Sequence, residues 1–187
     1  MHNNIPYKFY FINTLNTNII DRLDINTGVI YRNYAKKLNK NEIIKVKNYC
    51  TKRNLKFFLS NNYKLALRLG LDGVYLPSFN KDLRHLNYKT KPSFIVMGSA
   101  HNIKEIRIKE IQKVDLVFIS SIFKKNKNYL GIYKFKLLNN LTKKKVVALG
   151  GISSGNKQKI KMLGCYGFSG ISYFEQKKGP IKWGPFK

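Results

Sequence analysis

Val146-Val147-Ala148-Leu149-Gly150-Gly151-Ile152 is followed, after a helix-like stretch over 156–163 closed by Gly164, by Gly167-Phe168-Ser169-Gly170-Ile171-Ser172. Each outer segment is a short β-branched and apolar run that ends on glycine or a small hydroxyl residue. Together they read as one β-α-β unit. At the C-terminal ends of parallel strands, bare glycine backbone lets main-chain N–H groups approach a phosphate, and a helix start adds its positive dipole end. Glycines also mark plain tight turns. Two such ends in succession shift the reading towards an anion site.

Outward from this unit the pattern repeats. Short apolar segments over 7–12, 28–32, 57–60, 73–76, 94–98 and 116–120 alternate with polar, helix-capable stretches over 41–53, 62–69, 103–113 and 132–141. The stretch 103–113 carries isoleucines at 103, 106, 108 and 111. The connections over 13–26 and 77–91 are the weakest helices. Eight strands alternating with seven connections, and no linker or repeat, predict an α/β chain folded as a compact single (β/α)8 TIM barrel. The barrel is expected to occupy the whole chain, 1–187, with 175–187 as an irregular C-terminal tail. An open doubly wound sheet is the structural alternative.

Composition narrows the class. The chain of 187 residues is 43% hydrophobic and 13% aromatic, which is enough to build a core and argues against disorder. No apolar run approaches membrane-spanning length, and the first residues lack a charged and then apolar leader pattern, so a cytoplasmic protein without membrane association is expected. Cys50 and Cys165 stand far apart and read as packed thiols rather than a bridge or metal site. There are 36 basic and 9 acidic residues, a net charge of +27. The lysines are spread over helical faces among many Asn, Ile and Tyr residues, and runs such as Lys143-Lys144-Lys145 and Lys124-Lys125 read as solvated loops. The charge eases binding of any anion without identifying one.

In a parallel barrel the chemistry sits where strands end. That face gathers Arg32, Asn61, Asn62, Ser99, His101, Ser120, Ser121, Gly150, Gly151, Gly170 and Ser172: one arginine, one histidine, hydroxyls, amides and no carboxylate. Metal chemistry favours hard anionic oxygens, so no metal ligand set is expected. Asp72 precedes its strand and is expected to pack at the lower end of the barrel. His101 has two open readings, a ring that holds its loop together or an acid/base group.

These residues resemble the thiamine-phosphate synthase and TenI-like family over roughly 28–174. The resemblance rests on Leu65-Ala66-Leu67-Arg68-Leu69-Gly70-Leu71-Asp72-Gly73-Val74-Tyr75-Leu76, on Met97-Gly98-Ser99-Ala100-His101 with Glu105 after it, on the segment from Val146 to Ile152, and on that from Gly164 to Ser172. It implies a protein of thiamine metabolism that joins hydroxymethylpyrimidine diphosphate to a thiazole phosphate, releasing diphosphate in a dissociative, Mg²⁺-assisted step. Catalytic contacts would then fall to Arg32 at the diphosphate, Ser99 near pyrimidine and diphosphate, and His101. Substrate and phosphate contacts would fall to Asn61, Asn62, Gly150, Gly151, Gly170 and Ser172.

Departures accompany the likeness. Asn62 and Asn80 stand where the family's metal-binding aspartates stand, Tyr34 replaces a diphosphate lysine and Ile30 a glutamine. The loop after the sixth strand reads Lys124-Lys125-Asn126-Lys127-Asn128, whose lysines partly substitute for the usual loop. Ser121 occupies the position of the histidine of TenI-like tautomerases. Mg²⁺ is therefore an implied cofactor whose aspartates are missing. The expected partner is a small phosphorylated thiazole or pyrimidine. Two other readings remain: a phosphometabolite-binding barrel without synthase activity, and a basic nucleic-acid-binding protein. The last lacks aromatic–basic interleaving on a sheet face.

Overall fold

The computed structural model describes residues 5–34 and 39–175. Eight strands run in chain order: β1 (Lys8–Ile12), β2 (Thr27–Tyr31), β3 (Phe57–Ser60), β4 (Gly73–Leu76), β5 (Ile95–Ala100), β6 (Leu116–Ser120), β7 (Lys145–Leu149) and β8 (Gly167–Ser169). All neighbours are parallel, and β8 pairs with β1 through Lys8↔Phe168 and Phe9↔Ser169. That last pairing closes the barrel and rules out the open doubly wound sheet.

Helices link successive strands except β4 and β5: α1 (Thr17–Ile20), α2 (Lys40–Lys52), α3 (Tyr63–Arg68), α4 (Ile103–Ile111), α5 (Gly131–Asn140) and α6 (Lys157–Lys161); α7 (Ile171–Glu175) follows β8. The two weak connections are short as expected: α1 is a single turn, and the link from β4 to β5 holds only a 3₁₀ turn at Arg84–Asn87. Asparagines start several helices. Asn39, Asn62 and Asn102 each turn a side-chain oxygen onto first-turn N–H groups, satisfying donors that helix geometry leaves orphaned.

Alternation along the strands builds two cores. Inside the barrel lie Phe9, Phe11, Ile30, Phe58, Tyr75, Met97 and Phe118 with their neighbours. Their rings meet edge to face, Phe9 on Phe118 at 4.9 Å and Phe11 on Tyr75 at 5.2 Å, the arrangement the ring quadrupoles favour. Between sheet and helices, Val29, Val74, Ile106, Val117, Phe135 and Ile160 form the second layer. Asp72 does pack at the lower end, its Oδ2 accepting from Phe57 N at 2.9 Å. Cys50 and Cys165 are buried and free, and burial pushes both thiols up to about 12.

Two local expectations need correction, and one helix face is a finding of its own. The last strand ends at Ser169 instead of continuing to Ser172. Ile171 and Ser172 open α7, because Tyr173 and Phe174 turn back into an aromatic cluster with Phe168 and Tyr10. Helix α7 also takes in Glu175, which accepts from Tyr10 Oη at 3.2 Å, so the tail does not begin there. The remainder of the expected tail, 176–187, lies outside the described residues. In α4, Ile111 is 58% exposed while Lys109 is fully buried. The inner stripe of that helix therefore carries a lysine and omits an isoleucine.

Candidate functional site

Among the described residues, a cleft of about 240 Å³ opens over the end of β1 beside Arg32, and two further clefts at the C-terminal ends of the strands hold most of the residues selected from sequence. The larger, about 500 Å³, lies over β6, β7 and β8 and is lined by Arg32, His101, Ser120, Ser121, Lys124, Gly150, Gly151, Gly170 and Ser172 among others. Eight sequence-selected residues meet there: Arg32, His101, Ser120, Ser121, Gly150, Gly151, Gly170 and Ser172. Arg32 follows β2, with its N–H donating to Ile12 O at 2.7 Å, and its guanidinium lies 4.5 Å from the centroid of the Phe11 ring. A guanidinium over an aromatic face is held by the ring quadrupole without losing its charge. Lys124 is exposed and borders this cleft rather than a remote solvated loop.

Gly150 and Gly151 have φ of +105° and +74°, a region that disfavours any other residue. They also make room for a neighbour. A Cβ on Gly150 would lie 2.3 Å from Ser121 Oγ and 2.9 Å from Ser121 Cα, and one on Gly151 would lie 2.6 Å from Lys124 N. The loop after β6 is laced to this turn by Ile122 N to Leu149 O at 3.0 Å and Phe123 N to Gly150 O at 2.9 Å. The glycines thus seat the 121–124 loop first, and the cleft is the space left beside that seat. In α7, helix geometry leaves the N–H groups of Ile171 and Ser172 without intrahelical acceptors, and both residues line the cleft.

His101 borders the same cleft and also holds its loop. Its Nδ1 donates to Ser120 O at 2.8 Å, with Ser120 Oγ 3.1 Å from the same nitrogen. Its backbone N–H donates to Glu105 Oε2 at 2.7 Å, while Glu105 N bonds Asn102 Oδ1 at 2.9 Å. The helix glutamate after His101 is thereby a capping residue. The two readings of the histidine are compatible in geometry, since Nδ1 is engaged and the ring still faces the cleft.

Ser99 does not join this group. It is buried within the barrel and bonds the Tyr75 phenol, whose ionisation burial drives upward. Above it, Tyr34 Oη and Ser60 Oγ are 2.7 Å apart, and the Tyr34 ring meets Phe79 at 5.5 Å, roofing the β3–β4 side of the mouth.

Asn61 and Asn62 belong to the second cleft, about 290 Å³, over β3 and β4, with Lys64, Asn80, Asp82, Arg84 and His85. Here the oxygens already have donors. Asn62 Oδ1 caps α3 through Leu65 N at 3.0 Å, and Asn61 Oδ1 accepts from Asn80 Nδ2 at 2.7 Å. Asn80 Oδ1 accepts from Asp82 N at 2.9 Å. Asp82 is the one carboxylate, and Arg84 clamps it with Nε at 2.8 Å and Nη2 at 2.6 Å. The bonds from the Arg84 side chain and backbone hold this carboxyl down at about 2. A divalent ion of the Mg²⁺ type needs several hard oxygens with uncompensated charge. Neutral, engaged amides and a guanidinium-paired carboxylate do not fit it. Among the described residues no group of three or more His, Cys, Asp or Glu side chains could hold a metal.

Sequence reasoning missed Lys109 and Gln112, both buried polar residues behind this cleft. A signal did exist: Gly98 in β5 faces α4, and a bare backbone there leaves space for a long stem.

Among the described residues no helix is long and apolar enough to cross a membrane. Comparison with known proteins gives a consistent picture. The chain is 28% identical over 120 residues to the thiamine-phosphate synthase of Methanococcus vannielii, covering 62% of this chain and 58% of that protein. It is 32% identical over 125 residues to the putative thiamine-phosphate synthase 2 of Aquifex aeolicus, covering 62% and 64%. The matched stretch thus spans less than two thirds of these relatives' length. Among solved structures, the thiamine phosphate pyrophosphorylase from Pyrococcus furiosus superposes with a TM-score of 0.74 at 19% identity, covering 91% of this chain and 87% of that one. This likeness establishes the shared barrel. The sequence pattern of the thiamine monophosphate synthase family matches residues 19–174, well over half of the chain, and the chain belongs to that family.

Proposed function

We propose that this chain binds a phosphorylated thiazole in the larger cleft and couples it to hydroxymethylpyrimidine diphosphate. In the reaction the thiazole nitrogen forms a bond to the pyrimidine methylene carbon, and diphosphate departs with the electron pair of the broken C–O bond. The observation that carries the reading is the convergence of Arg32, Gly150, Gly151, Gly170 and Ser172 on one cleft at the strand ends. The thiazole phosphate would take the N–H groups at the start of α7, backed by the Lys124 charge. Arg32, stacked on Phe11, would meet the departing diphosphate with a bidentate cation. Phe11, Tyr75 and Phe118, packed edge to face beneath Arg32, would keep water from reaching a cation-like methylene from below. His101 would present its ring to the reacting groups, and Ser99 would act from beneath through Tyr75. No step is routed through Mg²⁺, because the residues present do not fit it. A cytoplasmic setting belongs to the same reading, and the two separated, unpaired thiols support it.

A second reading, a phosphometabolite-binding barrel without synthase activity, is favoured by the altered β3–β4 side alone. One experiment separates the two. Diphosphate release is measured with both precursors, with and without Mg²⁺, beside thermal shift with the thiazole phosphate alone. Turnover supports the synthase. Stabilisation without turnover supports the binding protein. Neither response, with stabilisation by mixed oligonucleotides instead, would overturn both.

A further inference from the structure

One fully buried ammonium has no part in the reaction above. Lys109 of α4 is 0% exposed. Its stem crosses Gly98 of β5, where a Cβ would lie 2.6 Å from Lys109 Cδ. Its Nζ donates at 2.8 Å to each of three oxygens: Pro77 O, Asn80 O and Gln112 Oε1. Gln112, one turn further along, sends Nε2 to Asp82 O at 2.9 Å, Asn80 O at 3.2 Å and Asn80 Oδ1 at 3.3 Å. The chain leaving β4 is therefore folded around a cation and an amide that both come from behind it.

This arrangement decides how Asn80 presents itself. With its carbonyl and Oδ1 bound from behind and from Asp82 N, its Nδ2 is directed at Asn61 Oδ1. A buried charge survives only when its hydrogen-bonding capacity is filled, and three acceptors fill that of an ammonium. The loop around Asn80 thus already contains the positive charge that a divalent ion would bring.

We propose that Lys109 is the resident cation of the 77–82 loop, a positioning residue that sets the Asn61–Asn80 amide pair without any divalent metal. The cleft then receives an anionic group directly on neutral amide and cationic donors, Asn62 Nδ2, Lys64 and Arg84. Only the identity of that group rests on the proposed synthase activity. The positioning itself is a property of the unliganded chain.

Two measurements on the full chain test this. In a Mn²⁺ titration followed by electron paramagnetic resonance, the unmodified protein shows no saturable site, and the Asn62→Asp/Asn80→Asp double variant gains one. Saturable Mn²⁺ binding by the unmodified protein that disappears in Asn80→Ala would overturn the proposal. In hydrogen exchange, Lys109→Ala raises exchange across 77–82 by at least about tenfold, while β1, β6, β7 and β8 keep their protection. Butylammonium restores the protection and Mg²⁺ does not. Unchanged exchange in that loop, or rescue by Mg²⁺, defeats the idea. Thiazole-phosphate binding at the other cleft is read separately by thermal shift, so failure here and failure of the synthase reading are distinguishable.

Discussion

The two clefts at the barrel mouth are built on opposite principles. Over β6–β8, positive-φ glycines, a seated loop and the start of a short helix leave N–H groups and cations facing open space. Over β3–β4, side-chain oxygens and amides are closed on one another, and a lysine and a glutamine hold them from behind. On the proposed reading the first cleft receives an anion. The second has internalised its own cation. The contrast teaches that a cleft without free carboxylates need not leave its polar groups unpaired, since the chain can satisfy them by itself.

The largest test of the contrast is Gly150→Val. At φ +105° and 2.3 Å from Ser121 Oγ, the new side chain must displace the 121–124 loop. Thiazole-phosphate affinity should fall on the order of 100-fold, and stability by about 2–3 kcal/mol, read by calorimetric titration and thermal melting. Unchanged affinity would mean the anion site lies elsewhere.

Lys109→Met follows. It leaves three buried oxygens without their donor, and a loss of about 2–3 kcal/mol is expected near neutral pH, measured by urea unfolding. Burial lowers the Lys109 ionisation to about 8, against an ordinary value of 10.5. Between these values the unfolded chain holds the proton and the folded chain has released it, so this group adds stability as pH rises through that window. The gap between unmodified protein and variant should therefore widen from pH 8 to 10.5. A gap that narrows would show that the three acceptors, rather than desolvation, govern the charge.

Arg32→Ala should lower diphosphate release about tenfold or more while changing stability by about 1 kcal/mol at most. An equal loss from Lys143→Ala would point to the diffuse charge of the whole surface instead of this guanidinium. Tyr34→Phe, which removes the partner of Ser60 Oγ, is the smallest change. It should cost about 1 kcal/mol and leave binding at the β6–β8 cleft untouched.

Particular residues mark how far the sequence could be read. The β7–α6–β8 unit was legible because two short apolar runs, ending in Gly150-Gly151 and Ser169-Gly170, flank one helix-like stretch. The order of strands followed from the alternation along the whole chain, and the family from this unit together with the segments 65–76 and 97–101. The site was legible in halves. Arg32, His101, Gly150, Gly151, Gly170 and Ser172 share one cleft, whereas Asn61 and Asn62 stand in the other and Ser99 lies beneath the mouth. Lys109 went unread, because a lysine in an amphipathic helix reads as a solvated charge, and Gly98 signals its inward turn only once β5 and α4 are packed together.

The sequence by itself determined the eight-fold α/β alternation and the strand ends that carry the candidate site, because periodicity and glycine placement are local properties of the chain, whereas the pairing of β8 with β1 chose the closed barrel over an open sheet. Tertiary structure alone decided which strand ends share a cleft, that the glycines seat the 121–124 loop, and that a buried ammonium holds the β4 loop. Those outcomes depend on distances between residues far apart in the chain, such as Gly98, Asn80 and Lys109, and only closure of the barrel fixes them.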